Sequence, residues 1–282
     1  MFKKIAERRK EGEKMKPVLR YPGSKWRIAK EIVDLIPEHH SYIEPYFGSG
    51  AILFSKYKSN IETINDLDDD IINLFYIIQT NPKKLMHLIR TTPYGRNVYE
   101  RAYLIPKDDY EKALFFLIRC WQGYGFRTTG KKVGWKKDVT GREKSYTLTS
   151  WNDLPEVIRI TAERLKNVQI ESRPALEVIE HFNYENVFMY IDPPYLLSTR
   201  TGKQYKHEMN DSDHKALLKT IKKSKAKIMI SGYENDLYSV ELKNWNKEVL
   251  FSNDNSGKRR KEIVWMNYLP QPSLFDIGEL DG

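Results

Sequence analysis

The sequence predicts an α/β fold whose parallel sheet is assembled from two separate stretches of chain. Three observations lead there. Between Ser41 and Asp66 a short apolar strand, a turn with Gly48 and Gly50, a helical segment and a second strand ending in an acid follow one another. That is a βαβ pattern, and it requires parallel strands. Residues 82–167 lose the alternation and read as helices around a long polar segment. From Val187 onward strands and helices alternate again, and two β-rich runs flank a polar turn near the end.

Taken in order, residues 1–15 are expected to form a basic arm. The stretch is charged and lacks a following apolar run, so it is no secretory signal, and Met15 offers an alternative start. Arg27 to Ile36 reads as a helix stopped by Pro37. The first strand lies in SYIEPYFGSG, AILFSKYK opens a helix, and IETIND is a second strand ending at Asp66. DDDIINLFYIIQ is a helix with acids in its first turn, where they complement the helix dipole. DDYEKALFFLIRCW and LPEVIRITAERLK also read as helices. Between them QGYGFRTTGKKVGWKKDVTGREKSYTLTSW has no sustained period, and a loop of that length inside a compact domain is functional or mobile. Val187 to Ile191 is a buried strand, DSDHKALLKTIKKS a capped helix and AKIMIS a strand. KEVLF and EIVWMNY, around SNDNSGKRR, read as a β-hairpin. The sheet domain therefore spans 16–81 and 168–270, with an inserted mainly helical region at 82–167 and a tail at 271–282.

The 282 residues suffice for one large domain with an insertion, and 40% hydrophobic content fills a core. No apolar run is long enough for a transmembrane helix. Cys120 is the single cysteine, which excludes disulfide scaffolds and multi-cysteine zinc sites and suits a reducing compartment. The six histidines do not cluster at ligand spacing; His207 and His214, in HEMNDSDH, read as a surface segment and a helix cap, and no metal is expected. The net charge of +9 and pI near 9.2 favour a polyanionic partner, although charge alone fits many proteins.

Chemistry concentrates at two places. Gly48-Ser49-Gly50 by itself fits any tight strand-to-helix turn, although glycines do let a backbone approach a ligand. Asp66 changes the odds, because it follows Gly48 by 66 − 48 = 18 residues and ends the next strand. A carboxylate there grips ribose hydroxyls. No phosphate loop of the GxxxxGK[ST] kind exists, so a nucleoside cofactor without a phosphate cradle is indicated, namely S-adenosylmethionine. The second place is Asp192-Pro193-Pro194-Tyr195, directly after a buried strand, where ligands of open α/β sheets bind. The prolines have fixed φ and no N–H, so their carbonyls are rigid acceptors. One carboxylate oxygen and one carbonyl accept both hydrogens of an exocyclic amine, and the Tyr195 ring stacks on the base carrying it.

In these motifs and their order the chain resembles the Dam-like, alpha-group N6-adenine-specific DNA methyltransferases. RYPGSK (Arg20 to Lys25) is similar to the family's first cofactor motif, EPYFGSG to its FxGxG motif, Asp66 in IND to its ribose-binding acid, and DPPY to its catalytic motif. RRKEIVWMNY is also similar, and the resemblance runs from about Lys16 to Tyr268. It implies a Rossmann-like methyltransferase sheet. It implies cofactor contacts from Tyr21, Lys25, Phe47, Gly48, Gly50, Asp66 and Asp192, and catalysis by Asp192, Pro193, Pro194 and Tyr195. The reaction implied is transfer of the methyl of S-adenosylmethionine to N6 of a flipped-out adenine in duplex DNA by a site-specific, cytoplasmic enzyme of bacterial or phage origin. The same chemistry on RNA or on cytosine N4 is the near alternative, and a DNA-binding protein with an inactive cofactor site the distant one. Arg20, Arg127, Lys131, Lys132, Lys136 and Lys137, with Arg142, Lys144 and the aromatic Tyr124, Phe126 and Trp135, are the expected DNA contacts. Pro174 departs from the family, which commonly has an acid there. Either a neighbour such as Glu171 or Ser172 bonds the cofactor's adenine, or binding is weaker. Gln271 to Phe275 resembles sliding-clamp binding peptides, with a packed amphipathic end as the other reading; a monomer is expected.

Overall fold

The computed structural model describes residues 15–139, 145–200, 202–253 and 259–270. The expected basic arm apart from Met15, the basic residues Arg142 and Lys144, and the clamp-like Gln271–Phe275 lie outside them. A seven-stranded sheet runs in the order β3-β2-β1-β4-β5-β7-β6. Its strands are β1 (Ser41–Glu44), β2 (Ile61–Asn65), β3 (Val168–Glu171), β4 (Val187–Ile191), β5 (Lys227–Gly232), β6 (Asn246–Asn253) and β7 (Arg259–Met266). The first five pair in parallel; β7 is antiparallel to both β5 and β6. This is the α/β sheet of S-adenosylmethionine-dependent methyltransferases, ending in the expected hairpin. The chain leaves β1 toward β2 and β3, then returns to β4 on the other side of β1. The order reverses there, and the crevice beyond the carboxyl ends of β1 and β4 is where such sheets bind ligands.

Period-two alternation sends β4 into two separate cores. Phe188 and Tyr190 join one cluster with Ile64, Phe54 and Phe75. Val187, Met189 and Ile191 join the other with Ile43, Ile228, Ile230 and Leu218. Burial on both faces explains why VFMYI is apolar throughout. Helices α1 (Ala29–Asp34), α2 (Ala51–Ser55), α3 (Asp69–Thr80), α4 (Pro82–Thr91), α5 (Arg96–Arg101), α6 (Asp109–Gln122) and α7 (Tyr146–Leu165) contribute to the first core. Helices α8 (Ala175–His181), α9 (Asp211–Lys222) and α10 (Asp236–Glu241) pack on the second. Leu85, Phe116, Trp151 and Ile158, from the region read as an insertion, thus share a core with the sheet.

Several elements differ from the sequence reading. The first helix is shorter, Ala29–Asp34 in place of Arg27–Ile36, and Ile28 at its start offers no capping side chain. The second stops at Ser55, because Lys56 turns extended and its ammonium binds the Tyr57 carbonyl, Ser59 Oγ and Glu62. Helix α7 starts at Tyr146, eight residues before Leu154 (154 − 146), because Ser145 caps it through the Leu148 N–H. Helix α10, capped by Asn235, is an addition. His214 is not a surface residue: it is fully buried, with Nδ1 2.9 Å from the Tyr238 hydroxyl. Among the described residues no helix is long and apolar enough to cross a membrane.

Candidate active site

A cavity of about 350 Å³ opens where the order of the parallel strands reverses. The glycine turn forms its floor. The Phe47 N–H donates to the Asn65 carbonyl at 2.9 Å and the Gly50 N–H to the Phe47 carbonyl at 2.8 Å, tying the turn to β2. Gly48 and Gly50 have φ of +51° and +67°, which L side chains rarely adopt. A Cβ on Gly50 meets the Phe47 ring at 2.3 Å and Phe54 at 2.6 Å. Gly50→Ala is therefore expected to cost about 1–3 kcal/mol of backbone strain before any clash. The check is a lowered Tm in thermal unfolding.

The turn delivers one donor to Asp66, which lies just past β2. Its Oδ2 accepts from the Gly48 N–H at 2.8 Å and its Oδ1 from the Asp68 N–H at 2.9 Å. Burial pushes its carboxyl up to about 6, against these two donors. Tyr21 lies beside Gly48 across the cavity, and burial next to Asp66 pushes its hydroxyl well up. Asn65 brings in the loop after β3: its Nδ2 donates to the Pro45 and Arg173 carbonyls, and its Oδ1 accepts from the Arg173 N–H at 2.9 Å. Pro174, Ala175 and Leu176 reach the cavity from that loop; Glu171 and Ser172 do not line it. This part of the wall presents apolar side chains.

Asp192 follows β4 on the far side. Ser231 Oγ, on β5, donates to its Oδ1 at 2.7 Å, and Lys25 Nζ lies 2.9 Å from its Oδ2. Lys25 is buried, donates to the Gly23 carbonyl at 2.7 Å and lies 3.5 Å from Glu262 Oε2. Burial disfavours its charge, but Asp192 and Glu262 outweigh that and hold it ionised well above the usual lysine range. The ammonium expected to touch the cofactor thus spends its three donors on a carbonyl and two carboxylates. The Tyr195 hydroxyl donates to Glu262 Oε2 at 3.1 Å, and its ring meets Tyr233 edge-on at 4.7 Å. Glu44, ending β1, accepts from the Leu53 N–H at 2.7 Å and from the Tyr42 hydroxyl; burial pushes it up to about 8, so it is protonated at neutral pH.

A strap from 203 to 209, which sequence reasoning missed, covers the cavity with Tyr205, Lys206, His207, Glu208 and Met209. Arg200 holds it, donating from Nε to the Tyr195 carbonyl at 2.7 Å and pairing with Glu208. Glu208 Oε1 accepts from the Gln204 and Tyr205 N–H groups. Lys206 pairs with Asp69, at the start of α3.

The family description D12 class N6 adenine-specific DNA methyltransferase matches residues 21–252. The chain belongs to this family. Its reaction is methylation of adenine N6 in DNA. The type II methyltransferase M.MjaIII of Methanocaldococcus jannaschii is 26% identical over 90% of this chain and 99% of its own length. The type II methyltransferase M1.LlaDCHI of Lactococcus lactis subsp. cremoris is 24% identical over 90% and 96%. The DNA adenine methylase of Vibrio cholerae is 23% identical over 79% and 83%.

In this adenine methyltransferase the basic loop after α6 is pinned at its base. The Tyr124 N–H donates to the Gly134 carbonyl and the Lys136 N–H to the Gln122 carbonyl, both at 2.7 Å. Arg127, Lys131, Lys132 and Lys137 are exposed. Two of the three aromatic residues expected at the DNA pack against the protein: Phe126 edge-on against Phe116 at 5.7 Å and Trp135 tilted against Tyr94 at 5.8 Å. Tyr124 is 71% exposed. Arg20 lies over the Trp121 ring at 4.3 Å and bonds Ser150, so its stem is held against α6 and α7. Thr128 ties the loop to the strap, its N–H donating to the Gln204 carbonyl at 3.0 Å and its Oγ1 accepting from the Lys206 N–H at 2.8 Å.

Proposed function

We propose that the cavity holds S-adenosylmethionine and that Asp192-Pro193-Pro194-Tyr195 presents to it an adenine flipped out of duplex DNA. One observation carries this reading: Asp192 stands at the cavity wall with both oxygens already oriented, by Ser231 and Lys25. The lining supports the cofactor. Asp66, Asp68, Asp192, Glu208 and Asp213 face it against Lys25 and Lys206. Such a wall repels phosphate and suits a ligand with hydroxyl donors and a cationic end. Asp66 would accept from the ribose hydroxyls, Phe47, Gly48 and Gly50 shape the pocket, Tyr21 forms a flat side, and Pro174 gives apolar contact in place of an acid.

When bound, S-adenosylmethionine supplies an electrophilic methyl group. Asp192 accepts one hydrogen of the adenine amine and the Pro193 carbonyl the other, which frees the nitrogen lone pair for attack. Positive charge grows on that nitrogen during transfer; Asp192 stabilises it and takes the released proton. Tyr195 stacks on the base and fixes the approach, and positioning carries much of the rate gain. Lys25 acts through Asp192. Residues 82–167 select the target, with Arg20, Arg127, Lys131, Lys132, Lys136 and Lys137 toward the phosphates.

The experiment is incubation of the full chain with methyl-labelled S-adenosylmethionine and duplex DNA, followed by nucleoside analysis. Label is expected in N6-methyladenine, together with saturable cofactor binding in calorimetry. Label only in cytosine or only in RNA overturns the reading.

A further inference from the structure

We infer that Glu262 is a positioning residue for methyl transfer, acting through Tyr195 and Lys25; this rests on the reading of Asp192-Pro193-Pro194-Tyr195 as the amine-binding motif. Glu262 lies on β7, whose register pairs Ile263 with Gly232, so it stands just beyond the carboxyl end of β5. Its side chain is 10% exposed, and its Oε2 serves two partners at once: the Tyr195 hydroxyl at 3.1 Å and Lys25 Nζ at 3.5 Å. A buried carboxylate is costly unless paired, and this one spends its pairing on Tyr195 of the motif and on Lys25, the partner of Asp192.

The first consequence concerns the ring. Tyr195 is held at three points: its hydroxyl by Glu262, one face by Lys25 with Nζ 4.8 Å from the centroid, and Tyr233 edge-on at 4.7 Å. A phenol fixed at its far end cannot tilt, so the plane on which the base stacks is defined before the base arrives. The second consequence concerns Asp192. Two carboxylates face one ammonium, so Lys25 is shared, and Asp192 keeps more of its negative charge for the amine than it would in an exclusive pair. Removing Glu262 both frees the ring and lets Lys25 neutralise Asp192. Glu262 itself does not line the cavity, whereas Lys25 and Asp192 do, and both keep their places in its wall when Glu262 is removed. The signature is therefore a loss in kcat that is larger than any change in cofactor affinity.

The test is steady-state methylation of duplex DNA by the full chain, with calorimetry for S-adenosylmethionine, in Glu262→Ala, Glu262→Gln, Tyr195→Phe and the double variant Tyr195→Phe/Glu262→Gln. Glu262→Ala is expected to lower kcat by about 10–100-fold, the scale of a misplaced reactive group, with cofactor Kd within about twofold. Glu262→Gln is expected to recover part of that loss, because its amide oxygen still accepts from Tyr195. In the double variant the two effects are expected to be non-additive, since the residues act through one contact. Unchanged kcat in Glu262→Ala overturns the inference. Should that variant unfold, the isosteric Glu262→Gln decides: wild-type kcat together with full additivity with Tyr195→Phe overturns it. Loss of activity in Asp192→Asn alongside full activity in the Glu262 variants overturns the inference alone; full activity in Asp192→Asn overturns the motif reading as well.

Discussion

Asp192→Asn is expected to lower the rate of methyl transfer by about 10²–10⁴-fold, the range for removing a group that moves a proton in the transition state. The substitution keeps shape and removes charge. Ser231 Oγ still has an oxygen to bond, and Lys25 keeps the Gly23 carbonyl and Glu262. The fold should therefore survive, and the Tm should fall only slightly. What is lost is specific to the reaction. An amide has one acceptor atom where the carboxylate has two, so satisfying Ser231 or Lys25 turns an N–H toward the adenine amine. Donor would then face donor, and no negative charge would meet the cation growing on N6. Single-turnover methylation under saturating S-adenosylmethionine checks this, with calorimetry showing that cofactor still binds. A rate within tenfold of wild type would sink the proposed role of Asp192.

The parts of this site legible in the sequence are those whose chemistry is local. Gly48, Gly50 and Asp66 fall within one βαβ unit, where spacing along the chain maps onto spacing across two adjacent strands. Asp192 could be placed because the apolar run before it had to be a strand buried on both faces. What escaped depends on contacts between distant segments. Lys25, expected from the resemblance to contact the cofactor, does line the cavity, but its pairing with Asp192 and Glu262 was not legible because those partners are 192 − 25 = 167 and 262 − 25 = 237 residues away. Glu262 lies in RRKEIVWMNY, which resembled the family, but its role was hidden because its partners Tyr195 and Lys25 come from distant parts of the chain. The strap at 203–209 has no period; it closes only because Arg200, Glu208 and Thr128 meet around it. His214 is a different kind of miss. It was judged by its acidic neighbours, yet helical spacing sets it with Leu217, Leu218 and Ile221 on one face, and all four are buried. The signal was present and composition was weighed over period.

Asp66 makes cofactor affinity depend on pH in a defined direction. In the free protein, burial holds its carboxyl at about 6, above the ordinary aspartate value, despite N–H donors from Gly48 and Asp68. Because the folded value is raised, the free fold binds the extra proton between about 4 and 6, and it loses stability as pH rises through that window. Ribose hydroxyls reverse the preference: they donate only to an unprotonated oxygen, so a bound cofactor favours the ionised form and pulls the value back down. Affinity for S-adenosylmethionine should then rise with pH, by at most roughly tenfold per unit below 6, and level off above it. Asp66→Asn should flatten that dependence and weaken binding by about 10–100-fold, the worth of a hydrogen bond to a charged group. Isothermal titration from about pH 5 to 8 on both proteins measures each quantity. Glu44 is pushed up to about 8 by burial and also faces the cavity, so it is a protein group that can add a slope above pH 7 in Asp66→Asn, alongside the cofactor's own amino group. A wild-type affinity flat across pH 6 would mean that the cofactor's hydroxyls lie elsewhere and that Asp66 serves only the glycine turn.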